Sequence, residues 1–180
     1  MFYIRLIRIF SIGLSFFLAS NLFTLATEKN EKPIKTELSG YWTYYCKNYD
    51  QQRHCEIARK IDIKDKNETF LIVYKITKDI KSNIKENLNI FTPPRVNIRK
   101  RLKLSFDDKT KFTRPFLKCE NFSCLAVFKG NLIFKYSLKN YKKMKITFYV
   151  NENEEPISLT LEMNGFGEAL NIVNQQLEFY

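Results

Sequence analysis

Four cysteines, one histidine and two short acidic runs are the residues of this chain whose types and spacing could do chemistry. Cys46 and Cys55 lie nine positions apart, and Cys119 and Cys124 five apart. Three chemistries compete for them. In an oxidising compartment they would form two disulfides, and four cysteines allow three connectivities. Local pairing, Cys46 with Cys55 and Cys119 with Cys124, is the simplest, each bond cross-linking the arms of a short turn. A four-thiolate zinc site is the second option. Structural zinc favours about two to four residues between neighbouring ligands, a spacing that Cys119 and Cys124 meet and Cys46 and Cys55 do not. The third is a Cys–His nucleophile, because His54 adjoins Cys55. Neighbours on an extended strand point to opposite faces, so Cys55 could not easily use His54 as its base.

The acids offer less. Asp107-Asp108 and Glu154-Glu155 fall in predicted turns, where carboxylates are ordinarily solvated. Paired-acid catalysis needs two carboxyls roughly 5–9.5 Å apart across a substrate, and no motif here specifies that. With one His and no phosphate-binding glycine loop, the chain is read as no enzyme, with no cofactor and no metal.

Cations are abundant. Lys plus Arg number 30 against 19 Asp plus Glu, for a net charge of +11. One basic cluster comprises Arg95, Arg99, Lys100, Arg101 and Lys103, and another comprises Lys139, Lys142, Lys143 and Lys145. Clustered cations hold phosphates or sulfated sugars. They also blunt the edges of sheets, and a chain this rich in Lys, Asn and Ile carries lysines through base composition as well.

The elements that position these residues begin after an address. Met1–Arg8 holds Arg5, Arg8 and no acid; residues 9–25 are mostly apolar; Thr24 and Ala26 stand before a cleavage position. Positive start, apolar middle and small-residue exit define a secretory leader, predicted over 1–26. Retention as an anchor is the alternative, since an apolar run of about 17 residues is at the lower limit for spanning. Residues 27–38 are read as a flexible mature N-terminus, and 39–180 as a single β-rich domain. At 44 % hydrophobic residues, the chain has enough apolar area to offset ordering entropy.

Within that domain, residues 40–46 and 53–59 pair around a polar turn at 47–52. Residues 69–76 are the most apolar stretch and predict a central strand. Pro93-Pro94 interrupts the ladder. Val96, Ile98, Leu102, Leu104 and Phe106 alternate, as do Met144, Ile146, Phe148 and Val150, and then Ile157, Leu159, Leu161 and Met163. Lys129-Gly130-Asn131 is read as a hairpin turn joining strand 124–128 to strand 132–138. Phe166, Ala169, Leu170, Val173 and Leu177 have helical spacing. The sum is an all-β fold: an antiparallel sandwich or barrel-like sandwich of about 8–10 short strands with one short C-terminal helix.

These landmarks resemble the invasion-associated locus B family of bacterial exported proteins. The resemblance rests on Trp42 before Cys46, then Cys55-Glu56; Phe91-Thr92-Pro93; Leu104-Ser105-Phe106-Asp107; Pro115-Phe116 before Cys119; Cys124 and Ala126; Ile157-Ser158-Leu159; and Asn164-Gly165-Phe166-Gly167-Glu168-Ala169-Leu170. It spans about residues 40–175. Pro94-Arg95 and Ser123 stand where the family usually has Gly. The resemblance implies a periplasmic or outer-membrane-associated protein, with Cys46, Cys55, Cys119 and Cys124 as paired half-cystines and Trp42 and Phe166 as core landmarks. In intracellular pathogens the family is linked to entry into host cells. The partner expected is an envelope or host-surface macromolecule, with peripheral outer-membrane contact and no nucleic acid. The alternative reading is a basic envelope protein that binds polyanions or anionic lipid.

Overall fold

The computed structural model describes residues 36–37, 42–63, 68–150 and 155–178. The expected leader, most of the mature N-terminus and Glu154 lie outside the described residues. All described residues belong to one compact unit.

Alternation of apolar and polar side chains builds two antiparallel sheets. The first has seven strands: β1 (Thr36–Glu37), β2 (Thr43–Tyr49), β3 (Gln52–Ile63), β4 (Glu68–Asp79), β5 (Ile84–Thr92), and then β9 (Ser123–Lys129) and β8 (Phe116–Glu120), in the order β1-β2-β3-β4-β5-β9-β8. The second has four: β6 (Leu102–Phe106), β7 (Thr110–Arg114), β10 (Lys143–Phe148) and β11 (Ile157–Glu162), in the order β11-β10-β6-β7. Two helices complete the fold, α1 (Leu132–Asn140) and α2 (Phe166–Glu178).

One core lies between the layers. Ile57, Tyr74, Leu88 and Phe128 enter it from the large sheet, and Leu104, Phe106, Met144 and Ile146 from the small one, each almost wholly buried. Phe70 meets Phe148 across the layers with ring centroids 5.1 Å apart. Phe166, at the start of α2, sits edge-on to Trp42 at 5.0 Å and to Tyr74 at 5.7 Å. That contact seats α2 on the large sheet, and both landmark aromatics are core residues. The far end of α2 receives a cation: Lys78 Nζ donates to the Leu177 carbonyl at 2.8 Å, supplying the positive charge that a helix C-terminus favours.

Two parts of the chain depart from the sequence expectation. Residues 132–138 form helix α1, not a strand, in addition to the expected C-terminal helix α2. Asn131 is its N-cap, its side chain accepting from Phe134 N at 2.8 Å, and Phe134, Ser137 and Leu138 are buried at helical spacing. Gly130 is not a turn glycine; it passes so close to Glu86 that an added Cβ would lie 2.9 Å from the Glu86 Cβ. Second, the alternation from Val96 begins as a strand only at Leu102. Asn97 closes a turn there, accepting from Lys100 N at its carbonyl and from Arg99 N at its side chain. Pro115 separates β7 from β8, which belong to different sheets, because proline cannot donate to a ladder. Thr36–Glu37 pair with Tyr44 and Thr43 at the edge of β2.

The turns carry local chemistry of their own. Asp79 accepts from Lys81 N, Asn83 N and the Asn83 side chain. These bonds, the Asn83 side chain foremost, hold its carboxyl below the ordinary value. Its contribution to stability is therefore present above the unfolded pKa and is lost as pH falls through the depressed one. In the β2–β3 hairpin, Asp50 and Gln51 have φ of 44° and 59°, the mirror-image two-residue turn that favours Asn-Gly. Gln51→Gly is expected to raise stability by about 0.5–1 kcal/mol, read from the denaturant midpoint; an unchanged or lowered midpoint would contradict this turn geometry.

Candidate functional site

The cysteines are joined Cys46–Cys55 and Cys119–Cys124. Each bond links residues paired directly across a hairpin, β2 to β3 and β8 to β9. Cys46, Cys55 and Cys124 are buried, whereas Cys119 is exposed. All four thiols are thereby withdrawn from nucleophilic or ligand roles. His54 points away from Cys55, with Nδ1 3.1 Å from the Thr77 hydroxyl. Among the described residues no three His, Cys, Asp or Glu side chains gather as a metal would need. Asp107 is occupied by the backbone: it accepts from Lys143 N at 2.8 Å and Lys142 N at 3.3 Å, tying the β6–β7 turn to β10.

The basic residues are rearranged by the fold. Leu102, Leu104 and Phe106 must face the core, so Lys103 and Ser105 face outward from β6. On β10, Met144, Ile146 and Phe148 are buried, and Lys145 and Thr147 turn outward. The register sets Lys145 opposite Ser105 and Thr147 opposite Lys103, and on the next strand Lys111 opposite Ser105 and Thr113 opposite Lys103. The result is an open depression of about 420 Å3 on the outer face of the small sheet, lined by Lys103, Ser105, Asp108, Lys111, Thr113, Lys145 and Thr147 together with Leu104. Three ammonium groups and four hydroxyl-bearing or carboxylate neighbours surround it. Lys103, Lys111 and Lys145 make no ion pair among the described residues.

The large sheet contrasts with this. On its outer face Glu56 accepts from Tyr45 and pairs with Lys75 at 2.8 Å. Burial first, and then the Glu56 carboxylate, push the Tyr45 phenol above its ordinary value. Glu56 and Lys75 thus offset each other's charge, an arrangement that Lys103, Lys111 and Lys145 on the small sheet do not have.

Of the first basic cluster, only Lys103 reaches the depression. Arg95, Arg99, Lys100 and Arg101 lie on the loop between β5 and β6, where Lys100 rests over the Tyr149 ring at 5.7 Å. Of the second cluster, Lys145 reaches it. Lys143 lies further along β10, 3.6 Å from Glu162; Lys139 belongs to α1 and Lys142 to the connection after it. Sequence reasoning missed Lys111 and Thr113. Placing Phe112 inward would have found both, since its strand neighbours then face out.

A family model described as invasion associated locus B (IalB) protein matches residues 42–174. The chain belongs to this family. The match covers every strand from β2 to β11 and most of α2. Among solved structures, invasion associated protein b from Bartonella henselae is similar in fold, with a TM-score of 0.62, 22 % sequence identity, 78 % of this chain covered and 97 % of that chain. No curated protein matches the chain in sequence. No helix among the described residues is long and apolar enough to cross a membrane.

The two bridges of this IalB-family chain differ in access. Mild reduction followed by alkylation and mass analysis is expected to open the Cys119–Cys124 bridge first and to label exposed Cys119, with the buried Cys124, Cys46 and Cys55 labelled only on unfolding. Replacing Cys46 and Cys55 together by Ser is expected to cost about 2–3 kcal/mol. Simultaneous labelling of all four thiols in the folded protein would contradict the burial described.

Proposed function

We propose that this IalB-family protein is exported to the cell envelope, periplasmic or associated with the outer membrane, and acts by binding a macromolecule without catalysing a reaction. Two disulfides support an oxidising compartment, and the family and the leader pattern support export. The single observation that carries the binding reading is the meeting of Lys103, Lys111 and Lys145 on one sheet face.

The chemistry of that face favours an extended anion. Unpaired ammonium groups attract phosphate or sulfate, and Ser105, Thr113 and Thr147 add hydroxyls able to donate to the same oxygens. The sheet register fixes the spacing of the backbone positions that carry these groups. A phosphorylated envelope glycan and a sulfated host-surface glycan present the same groups. The family and its Bartonella henselae relative are both named for invasion, which makes contact with a host surface the biological setting that goes with the second source.

The test measures affinity for heparin and for a phosphorylated lipopolysaccharide core against rising salt, with the neutral polymer dextran as control. The wild-type chain is expected to bind polyanions with a steep salt dependence and to ignore dextran. The Lys103→Gln, Lys111→Gln, Lys145→Gln triple variant is expected to bind roughly tenfold or more weakly with an unchanged melting temperature. Salt-independent binding, or full binding by the triple variant, would refute the assignment of this face.

A further inference from the structure

Helix α1 carries an apolar ridge that the core does not use. Successive helical residues advance by about 100°, so Phe134, Ser137 and Leu138 form one buried stripe. Leu132, Ile133 and Tyr136 fall on the remaining surface and are 87 %, 65 % and 61 % exposed. Tyr136 follows Leu132 by four residues and Ile133 by three, so its side chain neighbours both. A helix packed by one stripe normally gives its outer side to polar residues. Here polar residues occupy the margins instead. Lys129 precedes the helix, Lys139 stands in its last turn, Lys142 follows it, and its first turn holds no acid. Lys135, the remaining cation, is drawn toward the protein by Glu86 at 2.8 Å. Lys129, Lys139 and Lys142 make no ion pair among the described residues.

We propose that α1 is a membrane-docking element for an anionic lipid surface: Leu132, Ile133 and Tyr136 enter the boundary between headgroups and acyl chains, and Lys129, Lys139 and Lys142 hold lipid phosphates around them. An exposed apolar ridge with cations before, within and after its helix offers both requirements of interfacial binding, burial of apolar area and attraction to anionic headgroups. Tyrosine suits that depth because its ring is apolar and its hydroxyl is polar. Charge selects the lipid over a second copy of the chain. Two-fold pairing through this ridge would oppose two identical sets of lysines, whereas an anionic leaflet neutralises them. The surface shares no residue with the basic face of the small sheet, and the proposal stands independently of that face.

The experiment sediments the full disulfide-bonded chain with phosphatidylcholine vesicles, with and without a minor fraction of phosphatidylglycerol. The expected result is binding that requires phosphatidylglycerol. The Leu132→Ser, Ile133→Ser, Tyr136→Ser variant replaces exposed side chains, of which Tyr136 alone has a ring contact, edge-on to Tyr141 at 6.3 Å. It is expected to keep its melting temperature and its heparin affinity while binding vesicles at least about tenfold more weakly. Vesicle binding equal to wild type in that variant would overturn the proposal. So would vesicle binding lost instead in the Lys103, Lys111, Lys145 triple variant, which would assign lipid contact to the sheet face. A wild-type dimer that ignores vesicles and becomes monomeric in the serine variant would also overturn it, in favour of self-association. If only heparin binding fails, the sheet-face reading falls and the helix reading stands.

Discussion

Everything in this molecule depends on the requirement that two sheets share one apolar layer. Because a strand alternates its side chains, burying Leu104 and Phe106 on β6, and Met144 and Ile146 on β10, compels Lys103, Ser105, Lys145 and Thr147 to face water. The antiparallel register then decides which of them meet. The basic face is thus the reverse side of the core and not a separate construction. A substitution that slipped β10 by one residue would turn its lysines inward and remove both at once.

The aromatic contacts extend that constraint to the ends of the chain. Phe166 links α2 to Trp42 and Tyr74, and Phe134 of α1 packs against Phe112 at 4.9 Å and Phe128 at 5.9 Å. Each helix is held to the strands by a buried aromatic ring. The disulfides act more locally. They join residues already opposed in hairpins, so they fix register within β2–β3 and β8–β9 and do not tie the two sheets together.

Much of the fold was legible because its signal was periodic. Alternation located β6, β10 and β11, helical spacing located α2, and cysteine spacing favoured the pairing that the structure has. The signal failed where a residue served a purpose other than the common one for its type. Gly130 looked like a turn glycine but is small to let the chain pass Glu86, and Asn131 looked like its turn partner but caps α1. The candidate site was only half legible. Lys103 and Lys145 stand out as members of basic runs, but their proximity depends on β10 pairing with β6 across about forty intervening residues, and runs of sequence carry no information about that pairing. Lys111 lies in no basic run and becomes visible only through register.

The most direct test of the basic face is a residue-resolved one. Amide chemical shifts of the labelled, disulfide-bonded chain would be followed as a short sulfated heparin oligosaccharide is added. Saturable shifts are expected, centred on Lys103, Ser105, Lys111, Thr113, Lys145 and Thr147, with the outer face of the seven-stranded sheet unmoved. Shifts confined to the Arg95–Arg101 loop, or spread evenly over every exposed lysine, would contradict the assignment.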